Sequence, residues 1–183
     1  MKTIALSLLV ILMALPTVAQ QSNAGYLRTK VDPWAAGVFV DGDYKGTAAM
    51  FGGRNRMIEL APGTHEVELV DPRYKRMKLR VTIEAGKTVT IRQSMKSLDR
   101  EPSGPLGELV TEGFGNSAVY LNGAYYANTN EISSESHALL LPPGTYQMRI
   151  VPTEGGTPRE EKITINAEET LVLSRSGAPV RRR

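Results

Sequence analysis

The chain has 183 residues, two histidines and no cysteine. Any nucleophilic or metal chemistry would therefore be assembled from His65, His137 and the hydroxyls and carboxylates around them. Ser133, Ser134 and Ser136 surround Glu135 and precede His137, a set holding the residue types of a hydrolytic nucleophile, base and orienting acid. Such sites are defined by geometry, which closeness in sequence does not supply, and a polar run ahead of an apolar stretch has the composition of a loop. His65 follows a Pro-Gly pair and has no second ligand-type residue at metal-binding spacing, so a packing role at the start of a strand is the simpler reading. Asp41 and Asp43 could form a calcium or glycosidase pair, but Asp41 is accounted for by a turn. The glycine-rich stretch "GFGNSAVYLNG" has neither a Gly-Lys-Ser/Thr ending nor a following helix, so it does not read as a phosphate loop. No catalytic residue, cofactor or metal site is assigned, and an enzyme is not expected.

Binding chemistry has two candidates. In "RYKRMKLRV", Arg76, Lys78 and Arg80 would project from one face of a strand while Met77, Leu79 and Val81 project from the other. Such a stripe could contact an anionic polymer such as a lipopolysaccharide or acidic glycan, or simply be a solvated face. The aromatics Trp34 and Tyr44, with Tyr125 and Tyr126, could stack on sugars, or Tyr44 and Tyr125 could pack across a hairpin.

The elements that would position these residues come twice. A shift of 81 positions aligns Val38–Val70 with Val119–Val151 without a gap, with 8 of 33 pairs identical. Tyr44 falls on Tyr125, and "LAPGTHEVELV" on "LPPGTYQMRIV". "VTIEAGKTVTI" from Val81 then matches "ITINAEETLVL" from Ile163. A repeat of roughly 70 residues is the size of a small domain. In each copy a hairpin is predicted at Asp41-Gly42 and Asn122-Gly123, since a type I′ turn needs positive φ at both central residues. Pro62-Gly63 and Pro143-Gly144 predict type II turns with the glycine in the left-handed region. Alternating runs on either side predict strands with one wet face. The fold class expected is all-β: two tandem small antiparallel β-sandwiches, at 25–95 and 107–174. A Pro/Gly/Ser linker at 96–106 joins them, and a basic disordered tail follows at 175–183.

"DPWAAGVFVDGDYKGT" followed by "LAPGTHEVELV" resembles the PEGA domain. Pro33, Ala36, Val38, Val40, Asp41, Gly42, Gly46, Thr47, Leu60, Pro62, Gly63, His65 and Val67 sit on its pattern. The second unit is similar but lacks the opening Pro and the last Gly-Thr. Thr47-Ala48 and Asn128-Thr129 stand where the family has Thr-Pro. The resemblance implies a transthyretin-like or immunoglobulin-like sandwich repeated in bacterial exported and envelope proteins. It implies no catalytic or ligand residue.

Met1-Lys2, the apolar run "IALSLLVILMALP" and small residues ending at Ala19 read as a cleaved signal peptide, 1–19. No transmembrane segment is then expected in the mature chain, and export disfavours nucleic acid as partner. The expected location is periplasm, cell envelope or outside the cell. The formal net charge of +3 conceals a split: 25–95 holds 12 Lys and Arg against 8 Asp and Glu, whereas 107–176 holds 4 against 9. Opposite signs suit contact between the two units or head-to-tail self-association, or reflect drift on two solvated surfaces. Taken together the residues read as a non-enzymatic binding or structural protein whose partner is an envelope polymer or envelope protein.

Overall fold

The computed structural model describes residues 23–53, 56–99, 103–153 and 155–182. The expected signal peptide, part of the linker and the last arginine lie outside them. Among the described residues the regular structure is strand, with two short 3-10 helices at Ala48–Phe51 and Glu135–His137. No helix there is long and apolar enough to cross a membrane.

The first half builds β1 (Gly25–Asp32), β2 (Gly37–Val40), β3 (Asp43–Thr47), β4 (Ile58–Leu60), β5 (Gly63–Val70), β6 (Met77–Ile83) and β7 (Thr88–Ser94). The second builds β8 (Gly107–Glu112), β9 (Ser117–Leu121), β10 (Ala124–Asn128), β11 (Leu139–Leu141), β12 (Gly144–Pro152), β13 (Arg159–Ile165), β14 (Thr170–Ser174) and β15 (Val180–Arg182). Sheet orders are β4-β1-β7 and β3-β2-β5-β6 in the first half, and β11-β8-β14-β15 and β10-β9-β12-β13 in the second. The topology is thus duplicated strand for strand, with β15 an addition. Each half also contains one parallel pair, β1 with β7 and β8 with β14, inside an otherwise antiparallel arrangement.

Alternation creates the two cores. In β5, Val67 and Leu69 face inward and pack with Leu27, Val38, Val40, Ile83 and Ile91 from both sheets. In β12, Met148 and Ile150 do the same with Leu109, Leu121, Ile165 and Leu173. Each such fully buried aliphatic side chain contributes about 1.5–3 kcal/mol relative to exposure. The first strand of each half starts on a glycine because the neighbouring loop comes too close for a side chain. A Cβ on Gly25 would collide with the Glu84 carbonyl oxygen, and one on Gly107 with that of Asn166.

The hairpin turns have the expected form, with Asp41 at φ 52° and Gly42 at 89°, and Asn122 at 50° and Gly123 at 82°. Their side chains also tie the turn to the adjacent strand: Asp41 Oδ1 accepts from Glu66 N–H at 2.9 Å and Asn122 Oδ1 from Gln147 N–H at 2.9 Å. The Pro-Gly pairs differ from expectation. Gly63 opens β5 at φ 144°, outside the left-handed well of a type II turn, and Gly144 opens β12 with no positive φ. Each glycine serves as the first residue of a strand, so its backbone is drawn out toward the ladder rather than coiled into the turn.

The basic end is also more ordered than its composition suggests. Val180–Arg182 pairs antiparallel with β14, where it takes up that strand's outer backbone groups. Arg182 lies 2.9 Å from Glu135 Oε1 and 4.0 Å from Glu112 Oε1, and Arg181 lies 3.6 Å from Glu169 Oε2. Acidic neighbours thus hold a segment that would repel itself in isolation.

Candidate functional site

The residues singled out by sequence separate into a buried seam and two charged faces. The seam lies between the two halves. Phe39, Val70, Ala118 and Tyr125 are buried together, with Tyr44 and Tyr120 packed against them. These side chains come from the outer faces of β2, β3, β5, β9 and β10, where strands of a lone sandwich would meet water. The ring centroids of Tyr44 and Tyr125 are 5.3 Å apart, and Phe39 meets Tyr125 edge-on at 5.5 Å. Gly37 makes the fit possible: a Cβ there would stand 2.7 Å from Tyr125 Cζ. Strand β2 approaches β10 and β3 approaches β9, which are the same contact with the copies exchanged. That exchange is the signature of a local two-fold, isologous interface.

Polar groups complete the seam. Tyr44 Oη lies 3.4 Å from Tyr125 Oη and accepts from Asn128 Nδ2 at 2.9 Å. Burial pushes the Tyr44 phenol up to about 12 and raises that of Tyr125 as well. Just beyond, Glu131 is pushed up to about 7, first by burial and further by the carboxylate of Asp71, while Arg73 opposes the shift. Asp71 itself is buried and clasped by Arg73, whose guanidinium donates two hydrogen bonds at 3.1 and 2.9 Å and whose backbone N–H donates a third at 2.9 Å. Glu131 Oε1 is buried without a hydrogen-bond partner among the described residues.

Of the two aromatic candidates, Tyr44 is therefore committed to the seam, whereas the Trp34 indole is 64% exposed. The structure does not bring them together: the rings around Tyr44 are Phe39 and Tyr125.

The basic stripe lies along the outer face of β6, with Lys78 and Arg80 on the strand and Arg76 just before it, but two of its three charges are answered. Lys78 contacts Glu68 and lies 3.2 Å from Glu66, and Arg76 lies 3.6 Å from Glu68. Arg80 is exposed opposite Glu66 in the register. The second half repeats this cross-strand pair with its signs exchanged, Arg149 on β12 lying 3.1 Å from Glu160 on β13. What sequence shows as a cationic row is one rail of an ion-pair ladder, and the other rail sits on a strand some ten residues earlier.

His65 is bound into its own loop. Its Nδ1 lies 2.6 Å from Asp41 Oδ2 and its Nε2 lies 2.9 Å from the Ala61 carbonyl. Both partners are acceptors, so the imidazolium fits best, and the hydrogen bond to Asp41 raises the His65 pKa and lowers that of Asp41. At the equivalent position Tyr146 donates its hydroxyl to the Pro142 carbonyl at 2.8 Å. His65 and Tyr146 thus clamp the same loop by different chemistry.

The serine-rich loop does not assemble a triad. Ser134 and Ser136 Oγ both lie 3.1 Å from the same His137 nitrogen, Nδ1, and Glu135 is turned to Arg182. A triad needs the carboxylate on the ring nitrogen opposite the nucleophile. Among the described residues no group of three or more His, Asp or Glu converges to hold a metal ion.

Two residues escaped sequence reasoning altogether. Thr29 Oγ1 donates to the Ala48 carbonyl at 2.7 Å and Thr111 Oγ1 to the Thr129 carbonyl at 3.0 Å. Each is buried on the first strand of its half, and each holds the segment where the family has Thr-Pro. The signal available was a threonine at the same place in both copies.

Residues 25–98 match the family model of the PEGA domain. The first sandwich is a PEGA domain. The PEGA domain is a non-catalytic, binding-type domain. The match ends before β8, and the second sandwich repeats the topology of the PEGA domain without itself matching the family model. No curated protein matches the chain. Among solved structures, the Bacillus anthracis TIE protein aligns with 86% of this chain at 15% identity and a TM-score of 0.29. The chain covers 34% of that protein, and a likeness this loose carries no functional weight.

Proposed function

We propose that the chain is an exported, non-enzymatic binding or structural protein of the bacterial cell envelope, built from two PEGA-like modules held as one tandem unit. The observation that carries this reading is the aromatic seam. It buries the apolar patches that the β3-β2-β5-β6 and β10-β9-β12-β13 sheets present on their outer faces, and leaves the unit with charged faces and strand edges that suit assembly and partner contact rather than turnover. The leader-like start and the PEGA match support the envelope setting.

A second reading, an anionic polysaccharide or lipopolysaccharide binder through Arg76, Lys78 and Arg80, is weakened by Glu66 and Glu68, which answer two of the three cations. Cosedimentation of the chain with isolated envelope fractions at low and high salt tests both. Pelleting that survives replacement of Arg76, Lys78 and Arg80 by Ser supports the structural reading. Pelleting abolished by those changes and by salt supports the polyanion reading, because exposed charge contacts are screened over about 10 Å at 0.1 M. Absence of pelleting at either salt, or turnover of ester, glycoside or peptide substrates, overturns the proposal.

A further inference from the structure

The two sandwiches differ at one equivalent place. In the second, the outer edge of β14 is occupied by β15; in the first, the equivalent strand β7 is the last in its sheet, and no described strand pairs with its outer side. The phase of the β1–β7 ladder is fixed by Tyr26 N–H to Lys87 O at 2.9 Å and Met95 N–H to Asp32 O at 2.7 Å. Val89, Ile91 and Gln93 therefore turn their backbone groups toward β1, and Thr88, Thr90, Arg92 and Ser94 turn theirs outward. In the second sandwich Glu108 N–H to Glu169 O at 2.9 Å sets the same phase, and the outward residues Thr170 and Val172 are those paired with Arg182 and Val180.

Charge at this edge is inverted between the copies. Around β15 stand Glu112 and Glu169, which hold Arg182 and Arg181. The equivalent residues of the first sandwich are Lys30 and Lys87, joined by Arg92 beside Lys30 in the register. Lys30 and Arg92 are exposed. Lys87 pairs locally with Glu84 at 2.5 Å, whereas Lys30 and Arg92 have no ion pair with a described residue. An edge lined with cations rejects a second copy's Val-Arg-Arg tail and favours the opposite charge.

We propose that the outer edge of β7, at Thr88–Ser94, is a docking site for an extended acidic segment of a partner protein, which adds to the sheet as β15 does on β14 while Lys30 and Arg92 meet its carboxylates. This rests on the binding role proposed above and gives it a partner class. Strand addition uses backbone bonds for affinity and flanking side chains for choice, and an unprotected edge is otherwise an aggregation hazard.

The test uses the purified chain and two labelled heptapeptides, Val-Glu-Val-Glu-Val-Glu-Val and its Lys-for-Glu counterpart. The acidic peptide is expected to bind by fluorescence anisotropy, more weakly as salt rises, and to slow amide exchange at Thr88, Thr90 and Arg92. Lys30→Glu with Arg92→Glu is expected to weaken it at least tenfold. Thr90→Pro removes an outward N–H without touching the β1 ladder and is expected to weaken it similarly with an unchanged circular dichroism spectrum. Absence of binding at millimolar peptide, equal binding of both peptides, or protection confined to other strands overturns the proposal. Envelope pelleting without β7 protection removes this site and keeps the binding role; β7 protection without pelleting removes the envelope role and keeps the site.

Discussion

Tyr44 and Tyr125 hold the same position in two copies of one repeat, and they are each other's partner: hydroxyl to hydroxyl at 3.4 Å, ring to ring at 5.3 Å. Removing one ring leaves a cavity at the centre of the seam. Tyr125→Ala is expected to cost about 3 kcal/mol and to resolve one calorimetric transition into two, one for each sandwich. Tyr125→Phe, which loses only the hydroxyl contact, is expected to cost about 1 kcal/mol and to keep a single transition. Two transitions in the unaltered chain would contradict a seam that couples the halves.

The His65–Asp41 pair predicts a pH window. The folded-state pKa of His65 lies above 6.5, so its contribution is complete below pH 6.5 and is lost as pH rises through the raised value. Asp41 is lowered from 3.8, so its contribution is present above pH 3.8 and is lost as pH falls through the lowered value. The loop clamp is therefore strongest between about pH 4 and 6.5. An NMR titration of the imidazole should place its midpoint above 6.5, and Asp41→Asn should bring it down.

Glu131 works in the opposite sense. Its folded pKa is about 7 against a reference of 4.5, so the folded chain holds this proton more tightly and stability falls as pH rises from 4.5 through about 7. Glu131→Gln is expected to stabilise the chain at pH 8 by about 1 kcal/mol after allowing for partial exposure, and to have little effect at pH 4.5. Thermal melts at the two pH values decide it.

Deleting residues 180–183 strips β14 of its partner and leaves Glu112, Glu135 and Glu169 without Arg181 and Arg182. A loss of about 1–2 kcal/mol is expected, from a few net hydrogen bonds and exposed ion pairs. Sedimentation velocity should also show concentration-dependent association through the bared edge. A monomer of unchanged melting temperature would contradict a structural role for β15.

Local chemistry was legible in the sequence, and partner choice was not. Asp41-Gly42 and Asn122-Gly123 announce their turns because positive φ is a property of those residues. Val67 and Leu69 announce a buried face because alternation is local as well. Nothing in "TVTIRQS" says that β7 crosses over to lie parallel to β1, since that pairing is decided by which edge is free once the other strands are in place. The repeat placed Tyr44 and Tyr125 at one position without revealing that they meet. Arg76, Lys78 and Arg80 were placed on the right face, yet their neutralisation by Glu66 and Glu68 depends on the β5–β6 register. The strand in the tail was hidden for a similar reason: Arg181 finds its carboxylate at Glu169, just before β14, and Arg182 finds its own on the second 3-10 turn and at the end of β8, far back in the chain.

The exchange of β2–β10 for β3–β9 across the seam gives this tandem the contact pattern of a symmetric dimer joined into one polypeptide. In a dimer of identical chains every substitution enters the interface twice, and a residue near the axis must be compatible with itself. Here Phe39 can face a tyrosine-rich surface while Tyr120, its counterpart, keeps a hydroxyl, and Gly37 can stay bare where Ala118 carries a methyl. Joining the copies frees each side of the interface to change alone, and the same freedom lets one edge strand keep its own tail while no described strand covers its twin.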